Sequence, residues 1–268
     1  MDHAELNQFQ IKKNGFIGYR LSGDVGWCGT DSQALWEKNL ATIPDDPAIK
    51  HYRTKDIVYS RNKLGHRSAE VEEVVRGAEP YMLIVGDSFS EGVGLANDEI
   101  YPQLVGSELG MAVYNLALGG TGTDTFMHNL FMWKNRVRRD PAVLVIQWTQ
   151  IFRTYFSEHL EPQFIINGTI PFLDSDRGQK FIDAGLDLRV FATRAIVLDR
   201  VINELFPKST VINLHMSFWH DKDADYGVKN SVVWNGPADY ARDLQHWSPK
   251  SHAVAAQGIL NKLAELNK

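Results

Sequence analysis

The chain has 268 residues, of which 44% are hydrophobic and 23% charged, with a net charge of -5, the balance of a soluble globular protein with core enough for an α/β domain. The acidic balance gives no support to nucleic acid or an anionic membrane surface as partner, and a single cysteine, Cys28, excludes an internal disulfide framework. No apolar run approaches the ~20 residues that span a bilayer, and the polar start Met-Asp-His-Ala-Glu-Leu-Asn has no signal-peptide core, so a soluble protein, cytoplasmic by default, is expected.

Residues 1–78 carry scattered glycines and short apolar stretches without a clear period. They are expected to form an N-terminal extension packed on or capping a main domain over 79–268, and to end in an acidic helical piece around Ser68–Arg76. Tyr81–Val85, closed by Gly86, reads as a buried parallel strand. Tyr101–Leu109 is helix-like up to Gly110, and Ala112–Leu116 is a second strand. Phe126, Leu130, Trp133 and Val137 draw one apolar stripe down a helix that Asp140-Pro141 breaks. Ala142–Gln147 is a third strand, and Phe164–Ile170 suggests a small hairpin turning at Asn167-Gly168. Phe191, Ala195, Leu198, Ile202 and Leu205 are spaced as a helix ended by Pro207, followed by a fourth strand, Thr210–His215. Ser248-Pro249 reads as an N-cap and first helical residue, with Ala255, Ile259, Leu263 and Leu266 as the buried face of a last helix. Strands alternating with helices imply a mainly parallel sheet covered on both faces. Ligands of such sheets sit beyond the carboxyl ends of the strands.

Just past the first of these strands lies Gly86-Asp87-Ser88-Phe89-Ser90-Glu91-Gly92. A serine on a strand-to-helix turn can point its hydroxyl into the crevice with its own N–H beside it, although position 90 is not the glycine of a G-x-S-x-G elbow. Near the C-terminus stands Asp243-Leu244-Gln245-His246. A serine nucleophile needs a base and the base an orienting acid, and an aspartate three residues before a histidine can reach its ring within one loop. The helix N-terminus that follows is expected to disfavour the imidazolium and keep the base neutral near pH 7.

The two motifs together, in this order, resemble the first and last sequence blocks of the SGNH (GDSL-like) serine hydrolase family. Asn115-Leu116-Ala117-Leu118-Gly119-Gly120 is similar to the second block, and Tyr59–Arg67 to a segment preceding Gly-Asp-Ser in some bacterial members. The resemblance covers about residues 81–255. It implies a flavodoxin-like three-layer α/β/α sandwich and an esterase with Ser88 as nucleophile, His246 as base and Asp243 as orienting acid. It also implies an oxyanion hole formed by the N–H groups of Ser88 and Gly120. The third block departs from the pattern. Where the family carries an oxyanion-binding asparagine this chain has Thr149, with Gln147 and Gln150 as alternative donors.

The implied substrate is a small-molecule or carbohydrate-borne ester, with no metal or organic cofactor. Two other readings stand beside it: an O-acyltransferase using the same triad, whose acyl-enzyme is intercepted by a sugar hydroxyl, and a degenerate domain that binds glycans without turnover, which the altered third block supports and the intact triad opposes. Asp87 and Ser90 read as local caps, and His252 as a helix-packing or solvent-facing residue. His215 and His220 read as core or rim residues without a third metal ligand. Trp148 and Trp247 could form a substrate platform, with ordinary packing an equal account. Arg136, Arg138 and Arg139 read as a solvated helix end, and Cys28 lacks a partner histidine. Asn167-Gly168-Thr169 matches a glycosylation acceptor, though a turn suffices to explain it.

Overall fold

The computed structural model describes residues 8–149, 153–156, 166–169, 188–216, 228–236 and 239–268. The chain opens with β1 (Phe9–Ile11) and β2 (Ile17–Tyr19), paired antiparallel, then β3 (Gly23–Val25), α1 (Gln33–Thr42) and α2 (Pro47–Tyr52). β4 (Tyr59–Arg61) returns antiparallel to β3. The expected acidic helix is only the four-residue α3 (Val71–Val74), since Val71 and Val74 alone are buried there and anchor a single turn.

The regular part follows as β5 (Tyr81–Val85), α4 (Ser88–Glu91), a 3₁₀ turn at Asn97–Glu99, α5 (Tyr101–Leu109), β6 (Ala112–Asn115), α6 (Thr123–Arg136) and β7 (Val143–Trp148). After β8 (Arg153–Phe156) and β9 (Ile166–Thr169) come α7 (Leu188–Leu205), β10 (Thr210–Met216), β11 (Ser231–Trp234) and α8 (Pro249–Leu266). β8 and β9 pair antiparallel with Thr154 opposite Gly168 and Tyr155 opposite Asn167, so Asn167-Gly168 lies inside a strand and not at a turn. The positive-φ tolerance of Asn-Gly permits a turn without requiring one, and four paired positions outweigh it.

Five strands form one all-parallel sheet in the order β11-β10-β7-β5-β6. Counted by appearance within the sheet this is the flavodoxin-like order, whose switch point lies between β5 and β7. The fold is therefore an α/β sandwich, and β5 shows how its layers arise. Tyr81, Leu83 and Val85 face one way onto Phe126, Leu130 and Trp133 of α6 and Ala195 and Ile202 of α7. Met82 and Ile84 face the other way onto Tyr101 and Val105 of α5 and Ala255, Ile259 and Leu263 of α8. Leu266, expected on the buried face of α8, is 44% exposed, since Leu263 is the last buried residue of that helix and every residue after it is exposed.

A third cluster joins Ile17, Tyr19, Cys28, Tyr52 and Tyr59 to Val93, Leu95, Leu118 and Ala241. Those last four residues lie in loops beyond β5, β6 and β11, so the N-terminal residues rest against the end of the sheet where ligands are held. Among the described residues no helix is long and apolar enough to cross a membrane.

Candidate active site

β5 stops at Val85, and the chain turns through Gly86 into α4 with Asp87 as N-cap. Asp87 Oδ1 accepts the Phe89 N–H at 3.1 Å, and its own N–H donates to Gln147 Oε1 at 2.9 Å. The cap fixes Ser88 as the first helical residue, so its N–H has no intrahelical acceptor. Gly92 closes this turn at φ +80°, where an added Cβ would lie 2.2 Å from Ile100 Cγ2, so glycine is required.

His246 reaches Ser88 from the loop before α8. Asp243 Oδ1 accepts the N–H groups of Gln245 at 3.1 Å and His246 at 3.0 Å. These bonds hold Leu244 at φ +56°, a conformation that costs about 1–3 kcal/mol for a non-glycine residue. Asp243 Oδ2 lies 2.7 Å from His246 Nδ1, and His246 Nε2 lies 2.8 Å from Ser88 Oγ. The three side chains, separate in sequence, thus stand in one hydrogen-bonded line, with Asp243 and His246 buried. The Phe89 ring, 4.7 Å from the imidazole between centroids, backs it on an apolar wall shared with Trp234 and Trp247.

Burial alone would raise the Asp243 pKa, but the His246 charge and hydrogen bonds from His246 and Thr30 bring it down to about 2. Burial alone would lower that of His246, but the Asp243 carboxylate outweighs it and leaves the imidazole above its ordinary value. The Asp243 carboxylate, and not the following helix, thus sets the direction of the shift. The full charge of a carboxylate in contact exceeds the partial charge of a helix that begins only at Pro249.

On the other side of Ser88, Asn115 Nδ2 donates to Ser90 O at 2.8 Å, which ties the loop after β6 to α4. The Gly119 N–H donates to Glu91 Oε2 at 2.6 Å, and a Cβ added to Gly119 would lie 3.3 Å from Ser88 Cβ. Gly120 follows at φ +77°, facing open space. Glu91 is itself held by Tyr19 Oη at 2.9 Å and Cys28 Sγ at 3.3 Å, with the Arg61 Nη2 donating to that sulfur at 3.0 Å. Burial, followed by the Glu91 charge, pushes the Cys28 thiol up to about 12, so Cys28 is a packed anchor.

The third-strand residues are turned to other work. The Thr149 hydroxyl donates to Asp87 Oδ2 at 2.6 Å. Gln147 Nε2 donates to Trp148 O at 3.0 Å and contacts Met216 Sδ at 3.5 Å, while its Oε1 takes Asp87 N–H and the Ser90 hydroxyl. Gln147 therefore braces the serine turn instead of reaching an oxyanion. Gln150 and His220 lie outside the described residues.

The remaining candidates are structural. His252 is fully buried and accepts the Tyr101 N–H on Nδ1 at 3.1 Å, capping α5, so the solvent-facing alternative does not hold. Burial, then the nearby His246 and Arg67 charges, lower its pKa to about 3. His215 stacks on Trp148 with an interplanar angle of 9°. Trp148 is buried and donates to Asn213 Oδ1 at 2.8 Å; Trp247 is buried edge-to-face on Trp234. Both are core residues and neither offers a platform. Arg136 pairs with Glu72 at the surface, and Arg139 covers the Tyr81 ring. Among the described residues no three histidine, cysteine or carboxylate side chains gather as a metal site.

Sequence reasoning missed the residues that brace the Asp243 loop from the N-terminal part. Arg242 Nε and Nη2 clamp Asp31 at 2.8 and 2.5 Å, Tyr59 Oη donates to Asp31 Oδ2 at 2.5 Å, and Thr30 Oγ1 donates to Asp243 Oδ2 at 2.5 Å. Nothing periodic marks the Arg242–Asp31 and Thr30–Asp243 contacts, which join segments some 210 residues apart; Arg242, next to the Asp-x-x-His motif, and Tyr59, at the start of the Tyr59–Arg67 segment, offered signals.

No family model and no curated protein matches the sequence. Among solved structures, the chain is similar to a carbohydrate esterase family 2 enzyme plus carbohydrate-binding domain from Corynascus thermopiles (Myceliophthora fergusii), at 15% identity over 72% of this chain and 68% of that one, TM-score 0.46. It is also similar to a psychrotrophic esterase from Pseudoalteromonas sp., at 11% identity over 71% and 100% of the two chains, TM-score 0.45. A lipolytic protein of the G-D-S-L family from Desulfitobacterium hafniense gives 10% identity over 69% and 99%, TM-score 0.43. Likeness of this degree decides neither substrate nor mechanism, which rest on the residues themselves.

Proposed function

We propose that the chain is an SGNH-type serine hydrolase that cleaves a carboxylic ester through an acyl-enzyme on Ser88. The observation that carries this reading is the unbroken line from Ser88 Oγ to His246 Nε2 at 2.8 Å and from His246 Nδ1 to Asp243 Oδ2 at 2.7 Å. Neutral His246 takes the Ser88 proton as Oγ attacks the ester carbonyl, and the imidazolium then protonates the leaving alkoxide. Asp243 holds the tautomer that keeps Nε2 free to accept. Water, deprotonated by the same imidazole, releases the acid and restores Ser88.

The developing oxyanion is met by the backbone N–H of Ser88, at the start of α4, and by that of Gly120, which has no acceptor among the described residues. Thr149 is left out of this pair because its hydroxyl proton points at Asp87. The substrate class proposed is a small acyl ester, including acyl groups borne on a carbohydrate.

The test is labelling with a fluorophosphonate, which reacts with an activated serine whatever the natural substrate. The expected outcome is labelling of the wild type and none of Ser88→Ala or His246→Ala. A folded wild type that takes no label, or a Ser88→Ala protein that does, overturns the reading.

A further inference from the structure

Thr30 lies 213 residues from the acid it touches, on a corner whose two ends are both fixed. Cys28 and Asp31 exchange two backbone hydrogen bonds at 3.0 Å, which folds Gly29 and Thr30 into a tight turn with Gly29 at φ +60°. Cys28 is sunk beside Arg61 and Glu91, and Asp31 is clamped by Arg242 and Tyr59. Thr30 itself is exposed, so packing gives no reason for its placement. Its hydroxyl nevertheless donates at 2.5 Å to the same Asp243 oxygen that takes the His246 Nδ1–H, and lies 3.4 Å from that nitrogen.

We propose that Thr30 is a positioning residue of the active site: its hydroxyl shares Asp243 Oδ2 with His246, fixing the carboxylate's orientation and moderating its pull on the base. The inference rests on the serine-hydrolase reading for its consequence, though not for its geometry. A carboxylate oxygen that already accepts one hydrogen bond is a weaker acceptor for the second. Without the Thr30 hydroxyl, Asp243 holds the imidazolium more tightly, and less of the base is neutral at a given pH.

The other groups that face the pair stay in place when Thr30 changes. Asp87 approaches from the turn after β5, Asp31 from the Thr30 corner with Arg242 paired to it, and His252 from α8.

The deciding experiment is an NMR titration of His246, assigned with His246→Gln, in wild type, Thr30→Val and Thr30→Ser. Thr30→Val keeps the shape and removes the donor. Its His246 midpoint is expected to rise by on the order of 0.5–1 pH unit, with Thr30→Ser at the wild-type value. The acid limb of fluorophosphonate labelling should rise in parallel. A Thr30→Val titration that coincides with wild type overturns the proposal, as does a uniform loss of labelling at every pH with the midpoint unmoved. A wild type that is not labelled overturns the hydrolase reading instead, and the titration still decides the role of Thr30.

Discussion

On the base side of Ser88 the side-chain hydrogen bonds lead from the proposed nucleophile to the acid: Ser88 donates to His246, and His246 and Thr30 both donate to Asp243, at separations of 2.8, 2.7 and 2.5 Å. On the proposed oxyanion side the following bonds hold the turn and its loops and do not include the Ser88 hydroxyl. Thr149 donates to Asp87, Gln147 to Trp148 O and Asn115 to Ser90 O, while Glu91 receives Gly119 N–H. On the proposed mechanism one side therefore does its work with side chains and the other with backbone that its side chains hold in shape. Substitutions on the first should be read in rate, and on the second in stability.

The largest effect expected from that contrast is at Asp243. In Asp243→Asn the amide cannot hold the imidazole tautomer whose Nε2 accepts from Ser88, and turnover of an ester such as p-nitrophenyl acetate is expected to fall on the order of 10³–10⁴-fold. The midpoint of urea unfolding should move little by comparison. A fall of less than tenfold would break the contrast at its stronger end, because the acid would then be doing no more than bracing the loop.

This contrast also explains what the sequence disclosed. Strands buried on both faces, such as β5 and β7, appear as continuous apolar runs, and helices such as α6 as a single stripe, because burial repeats along the chain. β11 carries no such run: its four residues Ser-Val-Val-Trp alternate exposed and buried at the sheet edge, too short a pattern to announce a strand. Ser88, Asp243 and His246 were legible because each sits in a motif whose chemistry needs that residue type. Thr30 and Asp31 were not, since a three-residue strand and a tight turn held by polar contacts leave no period. Thr149 was read from its place after β7; only its contact with Asp87 shows where its proton goes.

The middle-sized effect falls on Thr149. Thr149→Val deletes a hydrogen bond to the buried Asp87 carboxylate, and leaving such a group short of a donor costs about 2 kcal/mol. Thermal unfolding should drop by roughly 4–8 °C, while the turnover of the protein that stays folded changes by less than about fivefold. The opposite pattern, an unchanged melting temperature with a loss on the order of 10²–10³ in kcat, would make Thr149 an oxyanion donor after all.

The smallest effect is a pH dependence in which rate and stability move in opposite directions. His246 is raised above its ordinary value by Asp243, although burial opposes this, and it must be neutral to act as base. Labelling and turnover should therefore climb with pH along an acid limb whose midpoint lies above the ordinary histidine value of about 6.5. In the folded chain the protonated form is the one Asp243 favours. That contribution to stability is fully present below the unfolded histidine pKa and is lost as pH rises through the folded one. The melting temperature of wild type relative to His246→Gln should thus decline across the interval in which activity rises. Asp243, held down to about 2, behaves in the opposite sense, and its contribution persists until the pH falls below the usual carboxylate range. If activity and relative melting temperature rose together above pH 6.5, the Asp243–His246 pair would not favour the imidazolium, and the base would be tuned by the helix start at Pro249 instead.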